Sequence, residues 1–72
     1  MIQMHSVSSS NVDAVGYDEN TNSLYVRFLH GGTYVYYGVP KFHYDNLLSA
    51  SSVGGYLDAH IKKGGYSLIN NF

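Results

Sequence analysis

Tyr25, Arg27, Tyr34 and Tyr36 are the residues of this chain best suited to recognise a flat, negatively charged molecule. Phenol rings stack on bases, and a guanidinium beside them adds a cation over a ring or a fork toward phosphate. Ser51-Ser52-Val53-Gly54-Gly55 offers a second chemistry. A serine- and glycine-containing helix start turns backbone N–H groups and the positive end of the dipole outward, which suits an anion. It is not a P-loop, because no Gly-Lys-Ser/Thr follows, and plain capping of a helix is its competing role. His60, Lys62 and Lys63 can approach the same anion, and solvated residues on a last helical turn are the alternative for the lysines. The candidate ligand-binding set is therefore Tyr25, Arg27, Tyr34, Tyr36, Ser52, Gly54, His60 and Lys62. In it Tyr34 and Tyr36 stack, Arg27 and Lys62 neutralise phosphate, and Ser52 with the Gly54 amide completes an anion nest.

Other chemistries find less support. His5, His30, His43 and His60 are dispersed, with no cysteine and no His-Glu-x-x-His spacing, so no metal and no cofactor is expected. Asp18-Glu19-Asn20-Thr21-Asn22 imitates the start of a calcium loop but lacks its central glycine and has Leu29 where the bidentate glutamate belongs; it reads as a turn. Ser9, Ser52, His43, His60, Asp45 and Asp58 supply the residue types of a nucleophilic triad, yet nothing in their spacing selects one, and a non-catalytic protein is expected.

The elements that must position these residues centre on a hairpin. Leu24–Leu29 and Thr33–Tyr37 are rich in β-branched and aromatic residues and are separated by His30-Gly31-Gly32, which predicts two strands joined by a primed turn. A two-residue turn at His30-Gly31 or at Gly31-Gly32 gives the same pairing parity. Leu24, Val26 and Phe28 then share a face with Val35 and Tyr37, leaving Tyr25, Arg27, Leu29, Tyr34 and Tyr36 on the other. That second face is either an open platform or a core beneath helices with the hydroxyls at the rim. Upstream, Ser8-Ser9-Ser10-Asn11 is a flexible turn before a first strand, Val12–Tyr17, and a polar loop of 18–23 leads into the hairpin. Pro40 suits the first turn of a helix running to Ala50, with Tyr44, Leu47 and Leu48 facing the sheet. Ser51 or Ser52 caps a second helix, Val53–Lys63, buried along Val53, Leu57 and Ile61 and stopped by Gly64-Gly65. Tyr66-Ser67-Leu68-Ile69 either returns to the sheet as a short C-terminal strand or packs on it. The expected fold class is α+β: a three-stranded antiparallel β-meander followed by two α-helices, with residues 1–72 forming one domain.

Composition bounds the partners. With 72 residues, one proline and no cysteine, the chain has no covalent staple, and self-association into a homo-oligomer is an expected source of extra burial. The formal charge is −1, with Arg27, Lys41, Lys62 and Lys63 as the cations, too few for the many phosphate contacts that hold duplex DNA. A small anionic ligand or a short single strand held by stacking stays open. No apolar run reaches membrane-spanning length, and the start has neither a basic segment nor a signal core, so no membrane association and a cytoplasmic location are expected.

Ser9-Ser10, Gly16-Tyr17-Asp18, Leu24-x-Val26-x-Phe28, Gly32-x-Tyr34-x-Tyr36, Val39-Pro40, Tyr44, Leu47, Ala50-x-Ser52, Gly54, Tyr56 and His60-Ile61-Lys62 together resemble the KTSC domain. This is a short module at the C-terminus of some lysyl-tRNA synthetases and a stand-alone protein in bacteria and phages. The resemblance covers nearly the whole chain and implies an RNA-binding module, by association with a synthetase. Members often carry lysine where this chain has Val53 in Ser52-Val53-Gly54, which removes one expected phosphate contact. Low charge and abundant tyrosine point to a small or cyclic nucleotide as ligand. For a phage protein in the host cytoplasm, that would mean sequestration of a host nucleotide signal. The alternatives are an RNA-binding accessory of translation, recognising tRNA or short single-stranded RNA, and a structural or protein-interaction domain.

Overall fold

The computed structural model describes residues 2–69. In chain order the elements are β1 (His5–Ser6), β2 (Val12–Asp18), β3 (Ser23–Phe28), β4 (Thr33–Tyr37), α1 (Lys41–Ser49), α2 (Val53–Tyr56) and β5 (Ser67–Ile69), with α2 continuing as a π-helical segment, Leu57–Lys62. The strands form one antiparallel sheet in the order β1-β2-β3-β4-β5. The expected meander is its centre, and the three-strand expectation is corrected to five. His5-Ser6 is too short and polar to show a strand period, and pairs only because residues 5 and 6 lie opposite Val15 and Ala14. Ser67–Ile69 takes the strand option, pairing with β4 after Gly65 turns the chain at φ 78°.

The hairpin turn corrects the expected faces. Phe28 N–H donates to the Gly32 carbonyl at 2.8 Å and Gly31 N–H to the Phe28 carbonyl at 3.0 Å, so the loop holds three residues, Leu29-His30-Gly31. Gly31 takes φ 110°, a left-handed residue closing a tight turn, as three-residue hairpin loops require. One added loop residue changes the parity, and a one-residue slip moves every side chain of a strand to the opposite face. Leu24 therefore faces Tyr36 and Val26 faces Tyr34, while Tyr25 faces Val35 and Arg27 faces Thr33. Tyr34 and Tyr36 join Leu24, Val26 and Phe28; Tyr25, Arg27, Val35 and Tyr37 lie on the reverse.

The helices cover the face that carries Tyr36. Tyr44 and Leu47 of α1, Val53 of α2, and Leu57 and Ile61 of the π-helical segment form one buried cluster with Val12, Val15, Leu24, Val26, Phe28, Tyr36 and Val39. Burying side chains of this size stabilises by roughly 1.5–3 kcal/mol each. Leu48, expected to face the sheet, is 45% exposed, because it sits one position round the helix from Leu47. Pro40 is the residue before the first turn of α1, in extended conformation, rather than inside it. Tyr17 stacks on Tyr44 with centroids 5.4 Å apart, and its hydroxyl donates to the Val39 carbonyl, pinning the end of the sheet to the start of α1.

On the reverse face the chain start crosses the sheet at Gly16. A Cβ there would lie 2.7 Å from Ile2 Cγ2 and 2.8 Å from the Gln3 carbonyl oxygen, so only glycine admits this crossing. The pairing of β2 with β3 shifts register between Val12 and Ala14, and Asp13 in that bulge accepts from Arg27 Nε at 2.8 Å.

Candidate functional site

Two serine-rich segments far apart in sequence meet at one end of the domain. Ser8, Ser9, Ser10 and Asn11, between β1 and β2, and Ser51, Ser52, Val53, Gly54 and Gly55, between α1 and α2, line an open groove of about 600 Å³. That is a volume within the range of small-ligand sites. Each segment is tied down locally. Ser9 Oγ accepts from the N–H groups of Asn11 and Val12, both at 3.2 Å, and Ser52 Oγ caps α2 by accepting from Gly55 N–H at 3.1 Å. Gly54 brings the two together: a Cβ on it would stand 3.8 Å from both Ser9 Oγ and Asn11 Cβ.

These bonds fix what the groove presents. A hydroxyl has two lone pairs and one proton. Ser9 Oγ uses both lone pairs inside its own loop, so its proton is the group left to donate. Among the described residues neither the Ser9 nor the Ser52 hydroxyl proton has an acceptor. No lining side chain is charged, aromatic or a base. The groove presents neutral hydroxyl, amide and backbone groups, among which the Ser9 hydroxyl is left to donate to a ligand oxygen.

The sequence-predicted residues do not form one site. Ser52 and Gly54 line the groove. Tyr36 is 3% exposed within the core, and burial, then the neighbouring Tyr34, pushes its phenol above the usual tyrosine range. Tyr34 is half-buried, edge-on to Phe28 at 5.1 Å. Stacking by Tyr34 and Tyr36 on an open face is thus corrected: the helices occupy that face. Tyr25 is half-buried on the reverse face, its phenol raised by burial, then by Tyr37 and Asp18. Arg27 is there too, paired with Asp13. Lys62 Nζ lies 5.4 Å from the centre of the Phe28 ring, which His30 stacks on at 5.3 Å.

His60 belongs to a second cluster, which sequence spacing did not reveal. His43 Nδ1 is 2.8 Å from the Tyr56 hydroxyl, Tyr56 and His60 have centroids 4.3 Å apart, and Phe42 and Tyr66 pack on His43. Burial, then the nearby His60, lowers the His43 pKa. Sequence reading makes Ser8 to Asn11 a turn and Ser9-Ser10 part of the motif, and neither that motif nor the serine content shared with Ser51-Ser52 says which segments meet. Among the described residues no group of three or more His, Cys, Asp or Glu converges as a metal site, and no helix is long and apolar enough to cross a membrane.

The KTSC domain family model matches residues 8–66. A protein of Tsukamurella paurometabola, whose name specifies no function, is 42% identical over 59 residues, covering 82% of this chain and 88% of that protein. The crystal structure of a KTSC domain protein from Yersinia pestis superposes with a TM-score of 0.89 at 38% identity, covering 96% of each chain.

Proposed function

This chain belongs to the KTSC domain family, and from its groove we propose that it is a non-catalytic module binding a nucleotide-type ligand, small or cyclic, through phosphate and ribose oxygens. The observation that carries this reading is the Ser9 hydroxyl at the groove, whose acceptor capacity is already filled so that its proton is left to donate. Phosphate and ribose oxygens are acceptors in need of such donors. The absence of a base among the lining side chains leaves Ser9 and Ser52 without the partner a serine nucleophile needs, which favours binding over turnover. Both walls of the groove come from one chain.

The ligand role first assigned to Tyr34, Tyr36, Arg27 and Lys62 passes to Ser9, Ser52 and the Gly54 backbone, the Gly55 N–H being held by Ser52 Oγ. RNA binding is the weaker reading: Arg27, Lys41 and Lys63 each sit within 4 Å of a carboxylate, and none of the cations lines the groove. Calorimetry against a panel of cyclic and linear nucleotides tests the proposal. Binding to at least one member, with a shallow salt dependence and a tenfold or greater loss in Ser9→Ala, supports it. Silence across the panel, or affinity unchanged in both Ser9→Ala and Ser52→Ala, refutes it. A steep salt slope with tRNA would favour the RNA reading.

A further inference from the structure

The sheet ends on one side in a weakly guarded strand, and we propose that β5 pairs with β5 of a second copy, antiparallel across a two-fold axis at Leu68, joining two five-stranded sheets into one. β5 is the last strand in the order β1-β2-β3-β4-β5 and is bonded to β4 along one edge. Its other edge faces no strand among the described residues. Exposed edges are ordinarily guarded by short length, charge, proline or a bulge. β5 has only the first of these: its three residues pair with β4 in unbroken register, and Gly64 to Phe72 contains no charged residue, no histidine and no proline. The opposite edge differs, since β1 is a two-residue strand that carries His5.

The side chains beside the β5 edge fit a second copy. Leu68 lies opposite Tyr36 and so points to the helix-covered side of the sheet, yet at the sheet margin it stays 45% exposed. Phe42, in the first turn of α1, is 57% exposed and borders the same margin: it packs on His43 at 4.4 Å, and His43 meets Tyr66, the residue before β5, at 6.1 Å. Two identical strands paired antiparallel are related by a two-fold axis, so one patch serves as both halves of the contact. With Leu68 on the axis, the two Leu68 side chains meet on the helix side, and Ser67 of each copy lies opposite Ile69 of the other. No charge on the edge selects a foreign peptide, whereas a second copy brings both the missing strand and an apolar neighbour for Leu68. The contact is small, which makes the dimer a weak one. None of these residues lines the groove, so the outcome is independent of the nucleotide proposal.

The chain has no cysteine, which makes disulfide trapping clean. Leu68→Cys places two thiols at the axis, where Cα atoms across an antiparallel pair are about 4.5–5.5 Å apart, inside the disulfide range of about 4.4–6.8 Å. Under mild oxidation a covalent dimer is expected to form roughly tenfold faster than in Leu29→Cys, at a more exposed position, or in Ser6→Cys, on the other edge. Sedimentation velocity of the unmodified chain from about 10 μM to about 1 mM is expected to show a rising dimer fraction. Leu68→Lys, which supplies a missing guard, and Phe42→Lys are expected to lower that fraction, and Leu48→Lys, at a 45% exposed position elsewhere on α1, to leave it unchanged. Circular dichroism verifies that each variant folds. Equal trapping at positions 68, 29 and 6, or a dimer that persists in Leu68→Lys, overturns the proposal. So does a chain that stays monomeric over the whole range, which would leave the edge to a foreign strand.

Discussion

Tyr36→Ala separates the two roles a tyrosine on β4 could have. The ring is 3% exposed and lies within the cluster shared by the sheet and both helices. Truncating a buried aromatic ring costs about 3–5 kcal/mol, the sum of lost transfer energy and the cavity left behind. A chain of 72 residues has a total stability of about 4–11 kcal/mol, so the loss is of the same order as the whole. Urea unfolding followed by far-ultraviolet circular dichroism measures it. At a slope of roughly 1 kcal/mol/M for so small a domain, the midpoint is expected to fall by about 3 M or more, and a marginal parent would leave the variant unfolded in buffer. Leu29→Ala, at a 56% exposed loop residue, is the control and is expected within about 0.5 kcal/mol of the parent. A Tyr36→Ala loss below about 1 kcal/mol would mean that the ring stands in solvent and that the three-residue turn is wrong.

Tyr17→Phe removes the hydroxyl that reaches the Val39 carbonyl and Asn22 Oδ1, and is expected to cost about 1 kcal/mol in the same assay. An alkaline titration addresses the buried phenols together. Tyr17, Tyr36 and Tyr44 are raised above the ordinary value, each chiefly by burial. An acid whose folded-state pKa is raised contributes stability that is fully present below the unfolded value, about 10, and lost as pH rises through the folded one. The urea midpoint is therefore expected to hold up to about pH 10 and fall above it, with part of the phenolate absorbance appearing at higher pH in the folded chain than in the urea-unfolded one. Phenolate appearing at the same pH in both, with no loss of stability, would contradict the burial of these groups.

Local chemistry was enough to place most elements. The β-branched and aromatic runs marked β3 and β4, the spacing of Val53, Leu57 and Ile61 marked the buried side of the second helix, and Ser52 and Gly65 marked its start and the turn beyond its end. Each signal lies within a few residues of its effect, because propensity, capping and left-handed turns are short-range. The family was legible for the same reason, since its motif is a string of such local features. Two things needed the tertiary structure. The number of residues in the loop after Phe28 depends on which hydrogen bonds close it, and that one residue decided whether Tyr34 and Tyr36 met solvent or the core. The meeting of Ser9 with Gly54, and of His43 with His60, depends on how helices dock across a sheet. That docking is set by burial summed over the whole chain, and no short stretch of sequence contains it.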